Sequence, residues 1–578
     1  MRIDQLFRFP VKGLPGESIE SAQVHEGGGL LGDRSVAFSN GTVDVTDGEW
    51  SSCLSFTILK NNKSLQKWSV SSEPPMITVS APDTASGDSL TFDSSHPNGR
   101  RELREYLSAH LPAQGSHQRR VVSTPRGMFD SQLSGISLIN PNTVKQLSNA
   151  GKIDLDPRRY RGNVLLEGLP AFAEFGLIGK ILRIGDVKIA ITKSIERCSA
   201  TSVNPETTDV DTNGPRLLAT HFGHLHCGIY GTVLSSGTLR VGSTIEVENM
   251  SPQEKRLVPS KRSPRFATVL DAVRHGSEII ELTLSDAFNW FSDHDEAGKY
   301  LRVHFADPLW RNYTITSVAN GAVKIAVRVQ GAVSGRLAKM RVGDELLVSG
   351  PYGTTTAANV LRRKTALVTA GIGITPVLGL LRDSEHASLV EDLRMLHVER
   401  GLPSKLSDRA MQASETLSAK VAPHHFDSSI RRPTDEEIAG VVEGCDSVVI
   451  CGPEGFTRSV KDLCAAAGIR PENVHSEMFV SPQTDLGQLF KDFPAAGVSC
   501  RDSATDFSWN PEDGVLLEAL ESAGIDAPSL CRAGSCGQCA VRLLKGSVSY
   551  PIEPSASVSA GQVLTCVSVP AEAVELEI

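Results

Sequence analysis

Pro528-Ser-Leu-Cys-Arg-Ala-Gly-Ser-Cys-Gly-Gln-Cys539, followed much later by Cys566, is the stretch that gives the rest of the chain its meaning. Cys531, Cys536 and Cys539 stand in Cys-x4-Cys-x2-Cys spacing, and residues 540–565 separate them from the fourth cysteine. This is the plant-type spacing for a [2Fe–2S] cluster, in which four thiolates hold two irons. Gly534 and Gly537 would let a tight loop bring its backbone close to the metal. A zinc knuckle or a set of buried thiols is the alternative, but zinc sites favour paired Cys-x2-Cys units and one spacing here is x4. The segment Val515 to Leu520, just before the loop, reads as helix. A one-electron carrier needs a donor and an acceptor, and both can be sought upstream.

The chain has 578 residues, which suggests about four domains. Hydrophobic residues make up 40% and charged residues 22%, as in soluble globular proteins. A net charge of −9 gives no reason to expect nucleic acid or an anionic membrane as partner. No apolar run reaches membrane-spanning length. The patterned start Met1-Arg-Ile-Asp-Gln-Leu-Phe-Arg-Phe-Pro leaves no room for a secretory signal. Eleven cysteines, four of them in the cluster pattern and the rest scattered, fit a reducing compartment, so a cytoplasmic location is expected.

Residues 1 to about 250 alternate short apolar stretches with Gly, Pro and Asp, as in Ile181-Leu-Arg-Ile-Gly-Asp-Val-Lys-Ile-Ala-Ile. That is the pattern of strands joined by tight turns. Ser80 to Arg100, dense in Ser, Asp and Gly, reads as a solvent-facing loop. Three places stand out: Phe9-Pro-Val-Lys-Gly-Leu-Pro-Gly with Leu31-Gly-Asp-Arg-Ser-Val-Ala-Phe, then Arg159-Tyr-Arg-Gly-Asn-Val-Leu-Leu, then Glu196-Arg-Cys-Ser-Ala-Thr-Ser-Val-Asn-Pro. In this order they resemble the MOSC family, whose relatives include amidoxime-reducing and hydroxylaminopurine-detoxifying enzymes with a molybdenum–pterin cofactor. The resemblance implies Cys198 as catalytic thiolate ligand to molybdenum, Lys12, Arg34 and Arg161 on the pterin's phosphate, and Asn163 on the pterin. A soft thiolate suits such a metal, and fixed cations suit a buried phosphate. Otherwise Cys198 would be a small buried hydrophobe and the cations surface charges. Asn204 stands before Pro205 where relatives often carry Asp. His221-Phe-Gly-His-Leu-His-Cys lacks zinc-finger spacing and is read as structural.

Met250 to Arg265 carries three prolines among Lys255, Arg256, Lys261, Arg262 and Arg265, and reads as a solvated basic connector rather than an interaction patch. Beyond it, Arg311-Asn-Tyr-Thr-Ile-Thr and Gly331-Ala-Val-Ser resemble the Arg-x-Tyr-Ser/Thr and Gly-x-x-Ser segments of the ferredoxin–NADP reductase superfamily. The resemblance implies that Arg311 meets a flavin phosphate, Tyr313 packs on the isoalloxazine, Thr314 bonds its ring, and Gly331, Val333 and Ser334 present amides to phosphate. In Lys364-Thr-Ala-Leu-Val-Thr-Ala-Gly-Ile-Gly-Ile-Thr-Pro, a β-run ends at Gly371 and Gly373. Thr375 is then expected to cap a helix with Pro376 as its first residue, with a pyrophosphate against the free amides. Ser447-Val-Val-Ile-Cys-Gly-Pro resembles the superfamily's Cys-Gly-Pro segment and places Cys451, Gly452 and Pro453 by the nicotinamide; Glu477 matches its closing Glu-x-Phe. Arg400 alone does not decide between NADH and NADPH.

The expected fold class is therefore multidomain: a β-barrel MOSC domain (1–252), a flavin-binding β-barrel (262–356), an α/β nicotinamide-binding domain (360–482) and a β-grasp ferredoxin domain (494–578). Expected cofactors are a [2Fe–2S] cluster, a molybdenum–pterin cofactor, FAD or FMN, and NADH or NADPH. The order of parts predicts a relay on one chain, in which each transfer has a high effective concentration of its partner. By resemblance the reaction is reduction of small N-hydroxylated substrates, with no obligatory electron-transfer partner. The alternative is a reductase feeding a separate oxygenase, the MOSC domain serving as sulfur carrier or binding module.

Overall fold

The computed structural model describes residues 1–82, 89–132, 135–259, 262–276, 278–293, 296–353, 355–401, 403–415, 417, 420–477, 490–491, 493–523, 525, 527–529, 534, 537–551, 554, 556 and 558–578. The first 250 residues build an eight-stranded mixed sheet. Its order is Glu246–Asn249, Lys180–Ile184, Val187–Glu196, His226–Val233, Ile136–Ile139, Val164–Glu167, Arg2–Arg8 and Glu17–Ile19. The segment leading into Glu246–Asn249 bonds back to the strand Arg2–Arg8 and curls the sheet toward a barrel: the Ile3 amide donates to the Ser243 carbonyl, the Gly242 amide to the Ile3 carbonyl and the Ile245 amide to the Met1 carbonyl. Glu246 and Glu248 take ion pairs from Arg183 on the neighbouring strand. The strand Val187–Glu196 lays Val187, Ile189, Ala190 and Ile191 into the core beside Leu6, Leu138, Val164 and Ile229.

The described residues of the segment 80–100, expected as a loop, include regular structure. They contain the strand Ser89–Asp93 and the start of the helix Pro97–His110, whose first turn is capped by His96. Phe92 pairs across to Ile77, and both are buried with Leu103 and Leu107 of the helix. The Ser/Asp-rich composition masked this short alternation.

The next unit is a closed six-stranded barrel, Arg265–His275, Ile279–Asp286, Ala322–Arg328, Trp310–Ala319, Tyr300–His304 and Glu345–Tyr352 in order round the ring. A five-stranded all-parallel sheet follows, ordered Lys420–Asp427, Asp392–Glu399, Lys364–Ala370, Ser447–Cys451, Val474–Glu477. Its central strands are continuous apolar runs, as a sheet covered by helices on both faces requires. The C-terminal unit is a five-stranded sheet, Thr505–Trp509, Ala496–Cys500, Val574–Glu577, Ala540–Lys545 and Gln562–Leu564, covered by the helix Leu516–Ser522. Leu516, Leu517 and Leu520 of that helix are buried against Trp509 and Val567.

The connector keeps Lys255, Arg256 and Arg262 exposed as expected, but its two ends and Val258 are packed. Met250 and Val258 join the core of the first unit, and Arg265 is buried as the first residue of a barrel strand. Its guanidinium lies 5.1 Å from the Trp290 ring and 4.8 Å from the Phe291 ring and donates to the Gly350 carbonyl. Cation–π contact and the buried aliphatic stem outweigh exposure of the charge. The first two units share one core: Trp290 and Leu347 of the barrel lie in the same apolar cluster as the first sheet. Phe288 fills the space above Gly179, where a Cβ would sit 2.0 Å from its ring.

Candidate functional site

Phe9 sits at the end of the first strand, and its ring is the floor on which two arginines meet. The Arg34 and Arg161 guanidinium carbons lie 4.7 and 4.4 Å from its centroid. Both residues hold left-handed backbone conformations, φ 48° and 50°, an arrangement costly for side chains with a Cβ. Arg34 donates to Asp33 and to the Arg161 carbonyl. Lys12 is buried, with its ammonium on the Met128 carbonyl at 2.9 Å and on Asp130. Burial pushes the Asp130 carboxyl up, but Lys12 and Arg34 outweigh it and hold it at about 2. Burial and the neighbouring Arg34 pull Arg161 down to about 10.

These cations line a cavity of about 450 Å³ together with Cys198, Cys53, Arg197, Ser194 and His226. Cys198 is half-buried and precedes the turn Ser199–Ser202. Arg197, which sequence reasoning passed over although it adjoins Cys198, donates to the Cys227 and Tyr160 carbonyls, and its buried Nη2 has no hydrogen-bond partner among the described residues. The gathering of lysines and arginines along the cavity fits an anionic group, and the Cys198 thiol fits a soft metal. Asn163 is not among the lining residues. Its amide oxygen accepts from Ser137 and its amide nitrogen donates to the Phe7 carbonyl, tying three strands together.

His226 enters the cavity with its Nδ1 2.9 Å from the Ser194 hydroxyl, and burial lowers it to about 3. His224 instead points into a buried aromatic group with Phe172, Phe175 and His304. Among the described residues no group of three His, Cys, Asp or Glu is placed to hold a metal.

In the barrel, a cleft of about 300 Å³ brings together Arg311, Tyr313, Thr314, Gly331, Val333, Ser334 and Thr375. The strand Trp310–Ala319 aims the first three into it, and the Ser334 hydroxyl fixes the opposite wall by accepting from the Gln330 and Gly331 amides at 3.0 and 2.9 Å. Burial raises the Tyr313 phenol and lowers Arg311. Thr375 belongs to the nicotinamide motif, yet its hydroxyl is 3.4 Å from that of Thr314. It does not cap its helix. The turn Gly371–Ile374 already has helical hydrogen bonding, so Thr375 and Pro376 are the first two residues of the helix Thr375–Leu381, and the Thr375 hydroxyl donates to the Ile372 carbonyl. Gly371 has φ 56°, and Gly373 lies against the Cys451 carbonyl, so the two glycine turns touch. Cys451 is fully buried, Gly452 and Pro453 lead into the helix Glu454–Ala466, and Glu477 pairs in register with Cys451.

Of the four cluster cysteines, Cys531 and Cys536 lie outside the described residues. Cys539 and Cys566 are buried with their sulfurs 3.1 Å apart, and the Gly534 amide donates to the Cys566 sulfur at 3.3 Å. Gly534 and Gly537 take φ of 69° and 74°, as a loop wrapped round a metal requires. No helix among the described residues is long and apolar enough to cross a membrane.

Three family descriptions match: the MOSC domain over residues 130–246, the oxidoreductase FAD-binding domain over 283–356 and the 2Fe-2S iron-sulfur cluster binding domain over 500–571. The chain is 29% identical over 298 residues to a heme-dependent oxidative N-demethylase beta subunit of Ectopseudomonas mendocina, covering 49% of this chain and 90% of the relative. It is 30% identical over 248 residues to the ferredoxin reductase component of 3-ketosteroid-9-alpha-monooxygenase from Mycobacterium tuberculosis, covering 40% and 67%. To a phthalate 4,5-dioxygenase oxygenase reductase subunit of Pseudomonas putida it is 26% identical, covering 44% and 78%. The expectation of no obligatory electron-transfer partner is thereby overturned, since these relatives are a component and subunits that work with a separate protein. The chain carries a MOSC domain ahead of FAD-, nicotinamide- and [2Fe–2S]-binding parts, and over those later parts it belongs to the oxidoreductase family of ferredoxin reductase components.

Proposed function

We propose that the chain is an NAD(P)H-dependent reductase that hands single electrons from its [2Fe–2S] domain to a separate oxygenase-type protein. The observation that carries this is the 3.4 Å approach of Thr314 and Thr375, which joins the flavin cleft to the nicotinamide turn. When bound, nicotinamide supplies hydride, the flavin divides the pair and the cluster carries electrons singly. In this reading Arg311 and the Gly331–Ser334 turn hold the flavin phosphates and Tyr313 covers the ring. Gly371, Gly373 and the Cys451–Pro453 turn leave room for the nucleotide, and the buried Cys451 edge keeps water from the transfer site. The test is purified protein with flavin and iron quantified, NADH and NADPH supplied in turn, and two acceptors: a dye reduced at the flavin and cytochrome c reduced through the cluster. Dye reduction without cytochrome c reduction would refute it.

A second reading is favoured by the Cys198 cavity. Its lining cations and thiol suit a molybdenum–pterin group, with Lys12, Arg34 and Arg161 on the phosphate and Cys198 on the metal. The net reaction would be R–NHOH + 2 H⁺ + 2 e⁻ → R–NH₂ + H₂O. Protein made in a molybdopterin-competent host should bind about one molybdenum per chain, and Cys198→Ala should lose it while dye reduction persists. A metal-free wild-type cavity from that host would refute this reading and leave the first standing.

A further inference from the structure

One nine-residue helix, Gly214–Phe222, contacts the Cys198 turn, the six-stranded barrel and the iron–sulfur domain. At its start Gly214 is pressed on Thr201, where a Cβ would lie 2.3 Å from the hydroxyl, and that hydroxyl donates to the Cys198 carbonyl at 3.0 Å. At its end the Thr220 carbonyl accepts from Trp310 Nε1 at 3.1 Å, the Phe222 carbonyl from His304 Nδ1 at 2.7 Å and the Gly223 carbonyl from Arg302 at 2.6 Å. Trp310 immediately precedes Arg311 of the flavin cleft. In between, Arg216 forms an ion pair with Glu518 on the helix Leu516–Ser522. The neighbouring Leu517 amide donates to the Thr565 carbonyl at 2.9 Å, next to Cys566. The whole helix is only about 13 Å long, so the cluster domain, the flavin barrel and the Cys198 turn meet within one short segment.

We propose that the Arg216 face of this helix is the resting dock of the iron–sulfur domain, and that docking there competes with delivery of electrons to an outside protein. The proposal rests on the reading that the cluster serves a separate acceptor. The strength of the contact suits the task. Arg216 and Glu518 side chains are 37% and 27% exposed, and an ion pair so open to water is weak enough to break in each cycle.

The probe is cytochrome c, with the balance NADH + 2 cytochrome c(Fe³⁺) → NAD⁺ + H⁺ + 2 cytochrome c(Fe²⁺). At low ionic strength, Arg216→Glu and Glu518→Arg should each raise this rate about two- to fivefold, and the double reversal should bring it back to the wild-type value. Flavin-level dye reduction and the visible absorption of the cluster should stay unchanged in all four proteins, the first reporting an intact flavin unit and the second an intact iron–sulfur domain. The two single variants shift net charge in opposite directions, so a bulk charge effect on cytochrome c would move them oppositely. Opposite shifts, unchanged rates, or a double variant that fails to restore the rate would overturn the proposal. Absence of cytochrome c reduction in every form, with dye reduction intact, would refute the functional reading itself and the dock with it.

Discussion

Replacing Gly373 by Ala puts a methyl group where two glycine turns already touch. The added Cβ would lie 2.2 Å from the Cys451 carbonyl oxygen, 2.7 Å from its carbon and 3.2 Å from the Gly452 nitrogen. All three are backbone atoms, so no rotamer relieves the clash, and one turn must retreat by about 1 Å. Overpacking of this kind costs about 1–3 kcal/mol. If that cost falls on assembly of the nucleotide site, affinity for NADH drops about 5- to 150-fold. The melting temperature of the nicotinamide unit should fall by about 2–4 °C per kcal/mol. The assay is NADH titration of flavin-level dye reduction, with flavin content and thermal unfolding measured on the same sample. Gly371→Ala is the comparison. It carries the left-handed penalty of about 1–2 kcal/mol, but its Cβ meets only the Arg328 guanidinium at 3.5 Å, which can swing away. Gly371→Ala should therefore lose stability with little change in KM. A Gly373→Ala protein with wild-type KM and melting temperature would refute the packing argument.

Three further outcomes are expected. Ser334→Ala removes the acceptor for the Gln330 and Gly331 amides, and fluorescence on dilution should show flavin held about tenfold less tightly. Cys566→Ser should erase the visible absorption of the cluster and cytochrome c reduction while dye reduction continues. Burial pushes His304 down to about 3 and His224 well below its ordinary 6.5, so the unfolded chain binds protons that the folded chain refuses. Stability is then full above pH 6.5 and falls below it, by up to about 1.4 kcal/mol per pH unit for each histidine. Thermal unfolding from pH 7.5 to 5 should show this, with a shallower fall in His304→Gln.

What could be read from sequence was chemistry written in contiguous residues. The Cys-x4-Cys-x2-Cys loop, Arg311-x-Tyr-Thr, Gly331-x-x-Ser and the Gly371 turn each declare a local need, such as room, a donor or a thiolate, so the residues that line the barrel cleft could be named from sequence. Features that depend on distant partners could not. Arg265 looked like linker charge because Trp290 and Phe291, which stack on it, are remote in sequence. Asn163 looked like a ligand contact, but Ser137 and Phe7 claim its amide. Arg197 and His226 gave no periodic signal, since a cavity wall gathers single residues from several strands. The strand Ser89–Asp93 was hidden because only Leu90 and Phe92 on it are apolar. An outside acceptor was the sequence's alternative reading, and the relatives favour it over the main one.

The common core of the first two units bears on how this chain can be cut. A fragment ending near residue 260 would strip Trp290, Phe288 and Leu347 from the apolar cluster they share with the first sheet. It would also uncover the carbonyls of Thr220, Phe222 and Gly223 that Trp310, His304 and Arg302 now satisfy. An isolated N-terminal fragment would therefore present a fresh oily scar and aggregate, whereas a product ending near residue 356 would keep the seam closed and stay in solution.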